Sequence, residues 1–415
     1  MHMFLRKGIS LLVFTLPLSV WAAPSLNLHQ AERLALHLAP ELKQLQANSD
    51  ALNQDAVADD QWDDPKLMVG AANVPADTFS FTQDNMTQIQ VGLMQQLPRG
   101  HSLAIRSLQD RLRAASTESQ KALMKLTILR SIRVSWLNAY YWQQAITIYT
   151  QEKRIFQHLL EVNTKLLENN QAQQKDVVRA QFELSQLTQQ IIDARQQQAE
   201  ANAQLARWLP FQIDRLRFQL PTWPAPPHLK QLKTVIKQQP LLRVDNQNSE
   251  VNQAGIKLAE QQYVPGVNVG VVYGVRQGDD AAGNKRSNFI GAQVTMDLPF
   301  FTKNRQSRRL KASEERYTAA QMQTMSDYRQ LRSQLLDNYA AWQELSLQYQ
   351  VYQQQLIPEA QHYAEATQVA YQNKQTDFPT LARAYVASYN TELAALKTHV
   401  GLLQARVNLL YLQGR

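Results

Sequence analysis

The chain has 415 residues, 44% of them hydrophobic, a formal net charge of +8 and no cysteine. Without thiols it holds no disulfide framework and no cysteine-ligated metal, and a lipidated cysteine at a mature N-terminus is not expected. The basic excess is spread over positions such as Arg130, Arg133, Lys153, Arg154, Arg308 and Arg309. Nucleic-acid binding needs a concentrated patch interleaved with stacking aromatics, so the charge reads as solvated helix faces.

The first elements are those of an exported protein. Arg6 and Lys7 precede a short apolar run over residues 9–20, too short to cross a bilayer as a helix. Val20 and Ala22 occupy the two positions a signal peptidase reads, which predicts a leader over residues 1–22. Its removal lowers the formal charge from +8 to +6. No later segment is a long uncharged apolar stretch, so no transmembrane helix is expected.

Residues 23–209 read as helix, two strands, long helix, helix. Strands are predicted over about 66–74 and 87–97, flanking a polar stretch at 75–85. Residues 103–167 then contain neither proline nor glycine. A helix of that length reaches about 100 Å at about 1.5 Å per residue, against about 11–12 residues for an ordinary globular helix. Its partner carries an apolar seam at Val177, Ala180, Leu184, Leu187, Ile191, Ala194, Ala201, Leu205 and Trp208, broken only by Gln198. The spacing alternates between three and four residues, as in a left-handed supercoil.

A proline-rich linker over 210–230 leads to a second unit, residues 231–415, with the same order. Strands are predicted over about 267–275 and 289–298, around a loop containing Gly278, Asp279, Asp280 and Gly283. Both loops are expected to be mobile. The second long helix starts near Ser307, with Pro358 as a kink. The last helix repeats the seam at Ala382, Val386, Tyr389, Leu393, Leu396, Val400, Leu403, Val407 and Leu410. The units echo each other residue by residue. Asn48-Ser49 returns as Asn248-Ser249, Val69-Gly70 as Val269-Gly270, Leu97-Pro98 as Leu298-Pro299, and Arg179-Ala180 as Arg383-Ala384. An offset of 200 to 204 residues is too long for a solenoid and points to a duplicated domain-sized unit.

The strands alternate. Ile89, Val91 and Leu93 oppose Gln88, Gln90 and Gly92; Ile290, Ala292, Val294 and Met296 oppose Phe289, Gly291, Gln293, Thr295 and Asp297. One apolar and one polar face suit lipid outside and water inside. Gln88, Gln90, Gln293, Thr295 and Asp297 are therefore the expected lumen-facing residues. Trp62, Tyr263 and Phe300-Phe301 flank the strands where an aromatic girdle would lie. Four strands leave two open edges, which lipid does not tolerate, so the strands must pair with other copies of the chain.

Nothing in the sequence forms a catalytic set. His37, His158, His362 and His399 lie on predicted helices without ligand spacing, and glycine-rich phosphate loops and nucleophile elbows are absent. Met68, Met86, Met94 and Met296 gather near the strands, where thioethers either bind Cu(I) or fill gaps. No enzyme activity, cofactor or resident metal is expected.

The whole mature chain resembles the TolC family of outer-membrane efflux ducts. The likeness rests on the duplicated order, on Gln95-Gln96-Leu97-Pro98-Arg99-Gly100, and on two helix-turn signatures. One runs from Leu166-Leu167-Glu168-Asn169-Asn170 to Asp176-Val177-Val178-Arg179-Ala180-Gln181. The other runs from Tyr371-Gln372-Asn373-Lys374 to Asp377-Phe378-Pro379-Thr380-Leu381. The resemblance implies a mainly α protein and a homotrimer, with four strands per protomer in a shared twelve-stranded barrel. It also implies an α-helical tunnel through the periplasm, with the linker in a belt midway. It places the protein in the outer membrane of a Gram-negative bacterium, among outer-membrane lipid, with an adaptor protein and an inner-membrane pump as partners. Residues 64–98 resemble the heavy-metal exporter branch in Asp64-Pro65-Lys66-Leu67, Asn73-Val74-Pro75 and Met86-Thr87-Gln88.

By this analogy Asp176, Arg179, Tyr371, Asp377 and Arg383 are gate candidates, with helix capping as the equal alternative for the two aspartates. Asn169, Asn170, Gln171, Asn373, Lys374 and Gln375 are the candidate adaptor-docking turns. Family members often carry glycine where Asn170 and Lys374 stand, so the turn at Lys374 is expected to take a different shape. The expected function is a passive exit duct, for metal cations driven by a resistance–nodulation–division pump. The alternatives are a duct for drugs or type I secretion and a periplasmic coiled-coil scaffold without a channel.

Overall fold

This computed structural model describes residues 26–210 and 216–415. The expected leader, residues 1–22, lies outside the described residues, as does the 211–215 part of the linker.

The chain opens with α1 (Leu28–Leu38), started by a capping box in which Asn27 and Gln30 satisfy each other's backbone N–H groups. Helix α2 (Pro40–Ala58) begins with proline at its first position, where the missing N–H costs nothing. Strands β1 (Lys66–Ala72) and β2 (Gln88–Leu97) follow, then α3 (Ser102–Glu168) and α4 (Gln174–Ala206). After the linker come α5 (Leu229–Val235), α6 (Pro240–Glu260), β3 (Val267–Val275) and β4 (Phe289–Met296). The chain ends in α7 (Gln306–Val351), α8 (Ile357–Gln372) and α9 (Phe378–Leu412). From α2 and α6 onward, both halves run helix, strand, strand, long helical stretch, helix.

Helix α3 is 67 residues long, and α1, α2, α4, α6 and α9 all pack against it. Buried clusters anchor the bundle along its length. Midway, Ile128, Ile132 and Trp136 pack with Ala31, Ala35, Leu205 and Leu209. Toward the helix turns, Phe156 and Leu159 meet Ala180, Leu187, Phe378 and Leu381. Leu331 and Leu335 of α7 meet Leu232, Ile236, Leu409 and Leu412. The linker crosses the bundle at its waist. Trp136 Nε1 donates to Gln219 O at 2.9 Å, Arg406 Nε donates to Pro224 O at 2.8 Å, and Phe218 meets the Trp136 ring edge-on at 4.9 Å.

Most of the α4 seam and part of the α9 seam are buried, while Leu184, Val386, Tyr389, Leu396 and Leu403 are half-buried. Val177, Ala180, Leu187, Ile191, Ala194, Ala201 and Leu205 of α4 are buried, and so are Ala382, Leu393, Val400, Val407 and Leu410 of α9. Helix α9 also buries a second stripe, with Leu381, Ala384, Ala395, Leu409 and Leu412, because it packs on α3 and also on α7 and α8. Helix α7 buries only Gln306, Leu331 and Leu335 along its 46 residues. The expected kink near Pro358 is a π-helical turn, Tyr352–Leu356, joining α7 to α8. Pro358 has no N–H for the carbonyl four residues back and its ring crowds that turn; the wider turn absorbs both.

The four strands form one antiparallel sheet in the order β1-β2-β3-β4. Three strands are shorter than expected, β2 by one residue at its start. β1 stops at Ala72 because Asn73 takes a left-handed φ of 55° and turns the chain, its Nδ2 donating to Met86 O at 3.2 Å. β4 stops at Met296, after which Asp297 N donates to Gly266 O at 2.8 Å. The loops, expected to be mobile, are tied together: Arg276 Nη1 donates to Asn85 O at 3.0 Å and Arg286 Nη1 to Asp84 O at 2.9 Å.

Candidate functional site

Register decides what each sheet face presents. Leu67 pairs with Leu93, Leu93 with Val271, and Val271 with Ala292; Val69 pairs with Val91, Val91 with Tyr273, and Tyr273 with Ile290. Paired residues share a face, so one side of the sheet is apolar from edge to edge. It is also uncovered: Leu67, Val69, Leu93, Val271, Ile290 and Val294 are each more than half exposed.

The opposite face carries Gln90 opposite Gly274, Gln293 opposite Gly270, and Thr295 opposite Asn268, with Gln88 at the end of β2. These four sequence-predicted residues therefore share one polar, glycine-rich face. Asp297 lies just past β4 and pairs with Arg99 at 2.5 Å. Gly266 permits that pair, since a Cβ there would sit 2.8 Å from Asp297 Oδ2 and 2.9 Å from Arg99 Nε. Met68 and Met94 lie on the glycine-rich face, their side chains 3.4 Å and 3.3 Å from where a Cβ on Gly92 and on Gly270 would be. Met296 points to the other face, so the methionines do not converge. Tyr263, expected in an aromatic girdle, is half-buried and bonded through its hydroxyl to Ser307 Oγ at 3.0 Å.

The helix turns form the second group. Helix α3 ends with Asn170 at φ 56°, where Asn170 N donates to Leu167 O and Gln171 N to Leu166 O. Helix α8 ends with Lys374 at φ 58°, where Lys374 N donates to Tyr371 O and Gln375 N to Ala370 O. Both are Schellman turns with the same bond pattern. The expectation of a different shape at Lys374 is thus corrected: the paired carbonyls fix the geometry, and lysine adopts the left-handed conformation rather than changing it. Asn169 and Asn373 are the residues just before these turning points.

Among the gate candidates, Asp377 caps α9, accepting from Thr380 N at 3.1 Å, and Arg383 Nη2 donates to Thr380 Oγ1 at 3.0 Å. Hydrogen bonds from Thr380 hold the Asp377 carboxyl below the usual carboxylate range. Asp176 closes a capping box with Gln173 at the start of α4. Arg179 pairs with Glu183 one turn on, at 2.5 Å. Tyr371 alone reaches another long helix, donating to Asn163 Oδ1 of α3 at 2.9 Å. Burial raises the Tyr371 pKa above its ordinary value of 10.0.

Sequence reading passed over three groups here. Asn163 is fully buried in the Phe156–Leu159 seam, and a polar residue at a seam position was the available signal. Glu152 of α3 and Glu183 of α4 are both buried and lie close enough to repel. Burial, with the Glu183 charge second, pushes the Glu152 carboxyl up to about 8. No periodicity marks the helix pair on which two carboxylates will meet. Among the described residues, no group of three or more His, Asp or Glu side chains is placed to hold a metal ion.

Residues 232–415 match the outer membrane efflux protein family. That family consists of channels rather than enzymes. Solved structures extend the likeness over nearly the whole chain. The outer membrane protein VceC from Vibrio cholerae shares 15% identity, covering 93% of this chain and 96% of its own, with a TM-score of 0.78. The CmeC outer membrane channel of Campylobacter jejuni shares 12% identity over 93% and 85%, with a TM-score of 0.77. CusC, described by its transmembrane channel formation, shares 16% identity over 92% and 91%, with a TM-score of 0.73. At such identities the likeness is one of fold. A search of curated proteins by sequence gives no match.

Proposed function

We propose that this chain is the outer-membrane duct of a three-part efflux system and works as a homotrimer. The observation that carries the proposal is the sheet: four strands, one continuous exposed apolar face, one polar glycine-rich face, and unpaired edges at β1 and β4. In lipid those edges must be satisfied, and three copies closing into a twelve-stranded barrel do so. The long helices then continue the duct below the membrane, and the sparsely buried α7 is the surface left for neighbouring copies. The two halves, with matching Schellman turns 204 positions apart, are one unit duplicated. On this reading residues 23–209 and 231–415 are the two repeats and 210–230 is the belt segment. Gln88, Gln90, Gln293, Thr295 and Asp297 line the lumen.

At the far end, Tyr371 and its partner hold the helix pairs together, while Asp176, Arg179, Asp377 and Arg383 set their starts. The exposed turns at Asn169–Gln171 and Asn373–Gln375 dock a periplasmic adaptor. An inner-membrane pump of the resistance–nodulation–division type supplies the energy, so the duct itself needs no chemistry. Heavy-metal cations are the cargo favoured by residues 64–98.

Detergent-purified protein reconstituted in planar bilayers should conduct as a trimer. A protein that is soluble and monomeric without detergent, or one that gives no conductance, as a coiled-coil scaffold would, overturns the reading. Cargo is read separately. A deletion strain restored with this gene should regain tolerance to copper, silver, zinc, cadmium or cobalt; restored tolerance to hydrophobic drugs alone would replace the metal assignment.

A further inference from the structure

Where the sheet gives way to the helices lies a cavity of about 590 Å³ lined by four arginines, Arg99, Arg106, Arg305 and Arg309, against a single carboxylate, Asp297. That carboxylate is engaged by Arg99 at 2.5 Å. Among the described residues, no carboxylate stands within salt-bridge distance of Arg106, Arg305 or Arg309, and Arg309 Nη1 contacts only the neutral Gln262 Oε1, at 3.2 Å. The neighbouring helix ends add to the positive field. Helices α3 and α7 both begin here, neither with an acidic residue in its first turn nor with a side-chain cap. A second observation points to a missing partner. Gln306, also in the cavity lining, is 7% exposed, and among the described residues its side-chain oxygen has no hydrogen-bond partner. That oxygen accepts only, and a protonated phosphate oxygen or a headgroup hydroxyl would donate to it.

We propose that this cavity binds a phosphate-bearing anion. Guanidinium groups match phosphate oxygens bidentately, and unneutralised arginines gathered on one cavity need a counter-charge. The same chemistry has two sources: the headgroup of an anionic phospholipid, or inorganic phosphate and soluble phosphate esters. The rim favours the lipid. Leu298 and Phe301 line the cavity with exposures of 55% and 92%, and Phe300 beside them is 77% exposed. Leu298 continues the alternation that puts the exposed Ile290 and Val294 on the apolar face of β4. A headgroup among the arginines thus leaves its acyl chains beside apolar side chains. The lipid source rests on the sheet lying in a membrane; the anion site itself does not.

The test uses full-length, delipidated protein in neutral detergent. Binding of dihexanoyl phosphatidylglycerol, dihexanoyl phosphatidylcholine and inorganic phosphate is measured by calorimetry. The wild type is compared with the double variant R305Q/R309Q and with R308Q, which removes a neighbouring charge outside the cavity. Circular dichroism melts confirm that each variant folds. Phosphatidylglycerol should bind at least tenfold more tightly than phosphatidylcholine, and R305Q/R309Q should lose at least tenfold in affinity while R308Q loses none. Phosphate binding as tightly as the lipid, with the same loss in R305Q/R309Q, keeps the site and assigns it to soluble anions. No anion binding by the wild type, or binding that R305Q/R309Q leaves unchanged, overturns the proposal. Bilayer conductance is read on the same preparation, so a protein that binds phosphate but forms no channel separates this site from the duct reading.

Discussion

Tyr371 on α8 donates a hydrogen bond to the fully buried Asn163 on α3, 2.9 Å away and 208 positions earlier in the chain. It joins the two halves of the protein beside the helix turns. Asn163 Nδ2 is already spent on Leu159 O at 2.8 Å, so its oxygen depends on the tyrosine. Tyr371→Phe leaves that buried oxygen unpaired, at a cost of about 1–3 kcal/mol. Faster amide exchange is expected in α8 and around Asn163, and a higher open probability in bilayers. Unchanged exchange and conductance would overturn the gate role proposed for Tyr371.

Glu152 gives a pH dependence with a defined sign. Its folded-state pKa of about 8 stands above the ordinary 4.5, so the folded protein binds the extra proton across that window. Stability therefore falls as pH rises from about 4.5 to about 8, and the penalty is complete above that. Glu183 faces it from α4, with Arg179 bonded to that same carboxylate, and Tyr149 and Tyr389 lie near it. Glu152→Gln should raise the melting temperature at pH 8.5 and leave it nearly unchanged at pH 4.5. Equal shifts at both pH values would assign the effect to packing.

Lys374 holds a left-handed conformation that glycine adopts without strain. Lys374→Gly should stabilise the turn by roughly 1 kcal/mol, seen as slower exchange of the Gln375 amide. Asn170→Gly should gain less, because asparagine tolerates φ 56° better. If the turn docks an adaptor, the Lys374 variant also weakens adaptor binding while it stabilises the turn, and cross-linking yield reads the two effects apart.

The two sheet faces should respond oppositely to charge. Arginine at Val271, on the apolar face, should cost about 2–4 kcal/mol in a membrane and reduce the amount of assembled protein in membranes. Gln293→Lys, on the glycine-rich face, should assemble normally and shift ion selectivity toward anions. The reverse pattern would put water on the apolar face.

The sequence alone determined the elements and their faces. Long stretches free of proline and glycine, beside seams at three- and four-residue spacing, read as long helices, and strict alternation fixes which strand residues share a side, because both signals are local. The four polar strand residues were legible for the same reason. Less legible were the ends of elements. Asn73 ends β1 through one backbone angle and a bond to Met86, and Pro358 is absorbed by a π turn, choices that no local pattern announces. Tertiary structure alone decided which groups meet across helices. Asn163 with Tyr371, Glu152 with Glu183, and the four arginines around one cavity come from segments tens to hundreds of residues apart. No periodicity encodes such a meeting, because helix rotation and register follow from packing the whole bundle at once. The lysine turn shows the same hierarchy: paired carbonyls and the incoming α9 fixed a conformation that the residue's own preference opposes.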